Sequence, residues 1–224
     1  MRLIRTGLLV LLLLQVGCGL TPIHNDSYIV KSGDTLYSIA MHTGVDYREL
    51  ARLNNLGADY RIYAGQVLRL SSEHSLSGKQ QSSSRSSVTS TAKQSAPIPP
   101  ANFLWQWPCK PESMLETRQP NGSVGLSLRG QSGQDIVASA GGKVVYAGSG
   151  LLGYGQLIII KHDEVYLSAY AHLQTMIVKE GMQITAGQKI ATMGKNGAGV
   201  PLLYFEIRIN GVTVQPLKLL PQSH

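Results

Sequence analysis

The chain predicts two folded units of different class: a small α+β module of order strand–helix–helix–strand, then a mostly antiparallel β domain. Three observations carry this. The stretch 28–70 compresses two short apolar runs and two helix-like patterns into under fifty residues. From Trp105 to Pro221, short Ile-, Val- and Tyr-rich runs alternate with glycine-bearing turns, as strands of an antiparallel sheet do. Between the two lies a serine- and proline-crowded stretch lacking the aromatic and branched residues that build a core.

In the first unit, Tyr28–Val30 reads as a strand and Gly33–Thr35 as a turn. Asp34 or Thr35 is placed to cap a helix carrying Leu36, Ile39 and Ala40 on one face. A second helix starts at Asp46, with Glu49 three residues on as in a capping box. Leu50 and Leu53 hold its apolar face, Gly57 is its expected stop, and Gln66–Leu70 is a closing strand.

The second unit, 103–221, is long enough for one core. Its predicted strands are Gln156–Lys161, Val165–His172, Gln188–Met193 and Leu202–Arg208. Asp135–Ser139 and Lys143–Gly148 flank Gly141-Gly142 as an expected tight hairpin, and Asn210-Gly211 is the strongest hairpin signal. Ile158–Ile160 is apolar on both faces, as a covered central strand would be. His162-Asp163 reads as a strand-to-turn junction.

Before both units, Arg2 and Arg5 precede the leucine-rich Gly7–Val16, a targeting segment too short to span a membrane at about 20 residues. Residues 1–18 end in Gln15-Val16-Gly17-Cys18, which resembles the bacterial lipobox, with Gln15 in place of the usual leucine. The resemblance implies lipidation of Cys18, a membrane anchor through that lipid, and, with Gly19 following, the outer membrane facing the periplasm. An ordinary signal peptide cleaved elsewhere is the alternative. Of the two cysteines, Cys109 is then unpaired in an oxidising compartment; burial beside Trp105 and Trp107 or an intermolecular disulfide are its two readings. Residues 72–102 read as a disordered linker spanning on the order of 30 Å.

The segments YIVKSGDTLYSIA, ELARLNNL and IYAGQVLRL resemble the LysM module over 27–71. That implies binding of N-acetylglucosamine glycans, peptidoglycan above all, between two loops. Here these hold Ser32, Gly33, Asp34 and Thr35 on one side and Tyr60, Arg61, Ile62 and Tyr63 on the other. Helix capping alone is the plainer role for Asp34 and Thr35.

GYG at 153–155, YAHL at 170–173, AGQKIATMG at 186–194 and LYFE at 203–206 resemble the LytM or lysostaphin-like zinc endopeptidases. A catalytic zinc takes three protein ligands and an open position. At the positions the resemblance assigns to them, this chain has Ser123, Ser127 and Tyr204, and Leu202 replaces an assisting histidine; His172 alone persists. No cofactor or metal is therefore expected. The expected groove holds Ser123, Ser127, Tyr154, Tyr170, His172, Leu202, Tyr204 and Glu206, a set suited to a peptide or helix. Refilling of the vacated space is the plainer role of Leu202 and Tyr204, as an inert remnant is of His172.

The whole layout resembles NlpD-like lipoproteins, whose degenerate LytM domain activates periplasmic N-acetylmuramoyl-L-alanine amidases. The resemblance implies a scaffold rather than an enzyme, with an amidase as partner. A zinc endopeptidase with unusual ligands and a wall-tethering structural lipoprotein stay open beside it. Lys plus Arg is 20 against 13 acids, and 18 against 13 once Arg2 and Arg5 leave with the leader. That balance draws a periplasmic protein toward anionic wall and lipid groups. No dense basic-aromatic cluster suggests nucleic acid.

Overall fold

The computed structural model describes residues 26–71 and 101–222. Cys18 and nearly all of the expected linker fall outside them.

The first module is a two-stranded antiparallel sheet, β1 (Ser27–Ile29) with β2 (Val67–Arg69), under helices α1 (Leu36–Thr43) and α2 (Tyr47–Leu53). Thr35 caps α1 through its hydroxyl, and Ser38 returns a bond from its own side chain, so the capping box belongs here. At α2 the expected box does not form. Asp46 accepts from the Arg48 amide, while Glu49 turns outward to Arg52. Nor does the helix run to Gly57. Asn54 ends it, its amide bonded to the carbonyls of Leu50 and Arg69, and Asn55 takes the left-handed turn at φ 52°. Asparagine has the side chain to bridge helix and strand that glycine lacks.

The second module is one ten-stranded sheet. Its strands are β3 (Ser113–Arg118), β4 (Val124–Arg129), β5 (Asp135–Val137), β6 (Gly142–Gly148), β7 (Gln156–Lys161), β8 (Tyr166–Met176), β9 (Gln183–Ile184), β10 (Lys189–Met193), β11 (Leu202–Ile209) and β12 (Val212–Val214). The order is β3-β4-β11-β8-β7-β6-β9, with β10 bridging β8 and β5, and β12 on β11. All strand pairs among the described residues are antiparallel. Asn210-Gly211 makes the predicted hairpin, both residues at positive φ as a type I′ turn requires. The strand at 158–160 is fully buried on both faces, between β8 and β6.

The expected hairpin at Gly141-Gly142 is absent. β5 pairs with β10, and β6 pairs with β7 and β9. Neither glycine takes the positive φ that a two-residue hairpin needs. Gly142 is glycine for another reason: a Cβ there would stand 2.3 Å from the Lys161 carbonyl oxygen on β7.

The period-2 alternation of the strands divides the core. Tyr166 and Tyr170 on β8, Leu203, Phe205 and Ile207 on β11, and Ile158 and Ile160 on β7 face one side, covered by Trp105, Cys109 and Leu220. The other face carries Leu157, Ile159, Leu167, Ala169, Ala171, Leu202 and Tyr204. These continue without a break into Leu36, Ile39, Tyr47, Leu50 and Leu68 of the first module. The small module therefore closes part of the face on which the expected groove lies.

Candidate functional site

Two regions hold the residues that the sequence singles out. On the first module, Asp34, Thr35, Tyr60, Arg61 and Ile62 line one cleft of about 580 Å³. Ser32, Gly33 and Tyr63 stay outside its lining. Asp34 does not cap the helix. Its Oδ2 accepts from the Tyr28 hydroxyl and the Lys31 amide, which shapes the turn at Gly33. That contact and burial push the Tyr28 phenol up to about 12, burial contributing most. Tyr60 sits at φ 52°, so its loop turns back sharply, and its ring meets Tyr37 and Tyr47 edge-on at 6.1 and 5.3 Å. Arg61 stays open to solvent, its side chain 70% exposed.

The second region is closed. On β11, residues 202, 204, 206 and 208 share a face, and β4 lies beside it with Tyr204 opposite Ser127. The Tyr204 ring lies over Gly125, where a Cβ would come within 2.9 Å of its Cζ and hydroxyl oxygen. Tyr204 thus fills the space between Ser123 and Ser127 and is 1% exposed. Its hydroxyl is buried with no hydrogen bond of normal geometry among the described residues, and burial first, then the nearby Glu206 carboxylate, raise its pKa. Farther along the face, the Arg208 guanidinium donates through Nε to Glu206 Oε2 at 2.9 Å and through Nη2 to Ser123 Oγ at 2.9 Å. A third bond runs from Nη1 to the Gly211 carbonyl at 3.2 Å. The Tyr154 hydroxyl donates to the other Glu206 oxygen at 3.0 Å, and Asn121 donates to the Tyr154 oxygen at 3.3 Å. Glu206 is 0% exposed, so the ion pair lies in the interior, with its remaining oxygen satisfied by the phenol.

Of the eight expected groove residues, seven share this face and Tyr170 does not. Tyr170 lies on the opposite face of β8, its ring tilted at 53° against Phe205 and its hydroxyl accepting from the Ser139 amide at 2.8 Å. Strand parity sets this: Ala169 and Ala171 face the groove side, so Tyr170 cannot. Ser127 hydrogen-bonds Thr117 at 2.8 Å across to β3. His172, at φ 61°, stands half-buried at the rim, its amide bonded to the Tyr154 carbonyl and its ring 6.4 Å from Tyr204. Burial lowers its imidazole pKa, so the ring is held neutral.

Arg208 is the residue that sequence reasoning passes over. Its even position beside Tyr204 and Glu206 carried the signal, since the three must share a face.

Residues 28–71 match the LysM domain and residues 121–216 match peptidase family M23. Over 90% of its length the chain is 36% identical to the lipoprotein NlpD/LppB homolog of Pseudomonas aeruginosa, covering 79% of that protein. This chain belongs to the NlpD/LppB-like lipoproteins. Other relatives agree in extent. Lipoprotein YgeR of Escherichia coli K12 is 40% identical over 87% of this chain and 80% of its own. The murein hydrolase activator NlpD of the same strain is 36% identical over 88% and 68%.

Within this NlpD-like LysM–LytM chain, the LytM fold implies a zinc ion, and the residues present do not fit one. Ser123 and Ser127 are engaged by Arg208 and Thr117, and the Tyr204 ring fills the gap between them. A fixed guanidinium 2.9 Å from Ser123 repels a dication as well. Among the described residues, no three His, Cys, Asp or Glu side chains are grouped to hold a metal ion.

His162 is a structural group. Its Nδ1 lies 2.7 Å from the Gly141 carbonyl and Nε2 2.8 Å from the Ser168 hydroxyl, and burial drives its pKa down to about 4. Asp163 beside it accepts from the Val165 and Tyr166 amides, a turn contact. Cys109 is buried, and its thiol is pushed up to about 12.

Proposed function

We propose that this chain is a non-catalytic lipoprotein that binds peptidoglycan through its first module and activates periplasmic N-acetylmuramoyl-L-alanine amidases through its second. One observation carries the reading: the Tyr204 ring and the Arg208–Glu206 pair occupy the interior where a hydrolytic metal centre would need ligands and an open coordination position. The relatives support the same direction, one of them bearing the name murein hydrolase activator. Activation needs a surface that another protein can hold, not a nucleophile. The loop before β7 supplies one: Leu152 is 90% exposed there. An apolar side chain so exposed suits the apolar face of a partner helix. Cys18 carries the lipid in this reading, holding the chain at the outer membrane on its periplasmic side, within reach of the wall.

Dye release from labelled sacculi tests the reading. The full chain alone is expected to release nothing above buffer, while adding it to a purified amidase from the same cell raises the rate severalfold. Leu152→Glu is expected to abolish the stimulation with no change in thermal stability. Failure to stimulate any amidase of that cell contradicts the activator reading, and release by the chain alone contradicts the non-catalytic one.

A further inference from the structure

The cleft on the first module is not made by that module alone. Opposite Tyr60 and Arg61 its wall is formed by Lys143 at the start of β6 and by Glu180 in the turn before β9. We propose that these second-module residues are glycan contacts, so that one N-acetylated glucosamine chain is gripped by both modules at once. This rests on reading the first module as a peptidoglycan binder and adds where the chain lies and what else holds it.

Four features of the cleft support it. First, the modules are docked tightly enough to preform a wall. Arg48 of α2 donates to the Glu164 carbonyl at 2.9 Å and to Asn210 Oδ1 at 2.8 Å, both on the second module. The β11–β12 turn comes so close to α2 that a Cβ at Gly211 would stand 2.6 Å from Asp46 Oδ2, and Gly211 also holds φ +79°. Second, a volume of about 580 Å³ lies inside the range of about 300–1,000 Å³ typical of small-ligand sites.

Third, the chemistry is mixed in the way a sugar demands. Tyr37 and Tyr60 offer aromatic surface to the apolar faces of sugar rings. Lys143 is exposed and makes no close ion pair among the described residues, only a longer-range interaction with Glu180, so its ammonium can donate to a hydroxyl or acetamido oxygen. Glu180 is exposed on the same wall and interacts with the Lys143 ammonium, and its carboxylate is placed to accept from a sugar hydroxyl. Fourth, three acids (Asp34, Asp59, Glu180) balance three bases (Arg61, Lys143, Lys161) around the opening. A balanced rim favours a neutral polyhydroxyl chain over the acidic peptide stems of the wall.

Calorimetric titration of the full chain with tetra-N-acetylchitotetraose, a neutral and peptide-free probe, tests this. The wild type is expected to bind. Lys143→Ala and Glu180→Ala are each expected to weaken binding by roughly 3- to 10-fold with unchanged thermal unfolding, as loss of one hydrogen bond does. Arg48→Ala, which touches no sugar, should weaken it too by loosening the wall. If the wild type binds, Tyr60→Ala abolishes binding and the Lys143→Ala/Glu180→Ala double variant binds like wild type, the two-module grip is overturned while glycan binding stands. No binding by the wild type overturns both.

Discussion

The two candidate sites of this chain differ in one physical respect: one is open and the other has been filled from within. In the first-module cleft, Arg61 and Lys143 keep their charged ends in water and hold no buried partner. In the second-module groove, Glu206, Arg208, Ser123 and Tyr154 spend their hydrogen bonds on each other. A polar group already satisfied inside the protein has little to offer a ligand, whereas an exposed one exchanges water for a ligand at small cost. The same contrast separates side chains that stabilise from side chains that bind. Substitutions in the filled site should therefore act on folding and those in the open site on binding.

The strongest way to break that contrast is Glu206→Ala. It leaves the Arg208 guanidinium buried without its counter-charge, and the chain is expected to lose about 3–5 kcal/mol of stability in denaturant titration. A loss below about 0.5 kcal/mol, the scale of an exposed-site change, would mean the groove is open after all.

A smaller effect comes from pH. His162 in the folded chain titrates near 4, below its ordinary 6.5, because burial disfavours the charged ring. The unfolded chain therefore takes up the proton first. Its contribution to stability is complete above pH 6.5, falls as pH drops toward 4, and is flat below that. The depth is about 3 kcal/mol, and His162→Gln is expected to flatten this part of the profile.

Smaller again is Tyr204→Phe, which removes a buried hydroxyl with no hydrogen bond of normal geometry among the described residues and is expected to leave stability unchanged or raise it by about 1 kcal/mol. The smallest effect on folding belongs to the open site. Arg61→Ala should shift stability by less than about 0.5 kcal/mol while weakening glycan binding measurably.

The sequence made the strands of the second module legible because each apolar run is bounded by turn residues, and Gln156–Lys161 matches β7 to the residue. It also placed Asn210-Gly211 correctly, since few dipeptides tolerate two positive φ values in succession. Gly141-Gly142 misled for a related reason. Two adjacent glycines signal a turn, but Gly142 serves close approach of the Lys161 carbonyl, a contact set by sheet pairing and not by local chemistry. Tyr170 was misplaced because it shares the parity of His172, and only the irregular backbone at His172, φ 61°, turns that ring to the groove side; β8 is apolar on both faces, so alternation cannot be read there. The docking of the two modules was not legible at all. Asp46 and Arg48 lie far in sequence from Asn210 and Gly211, and their contacts follow only from the folded surfaces.

Zinc analysis of the purified full chain, after equilibration with zinc and desalting, bears most directly on the filled groove. With Tyr204 lying over Gly125 and Arg208 bonded to Ser123, the chain is expected to retain essentially no zinc. The variant carrying Ser123→His, Ser127→Asp and Tyr204→His together is expected to gain it, because three ligands then replace the ring. One tightly held zinc per wild-type chain would contradict the account.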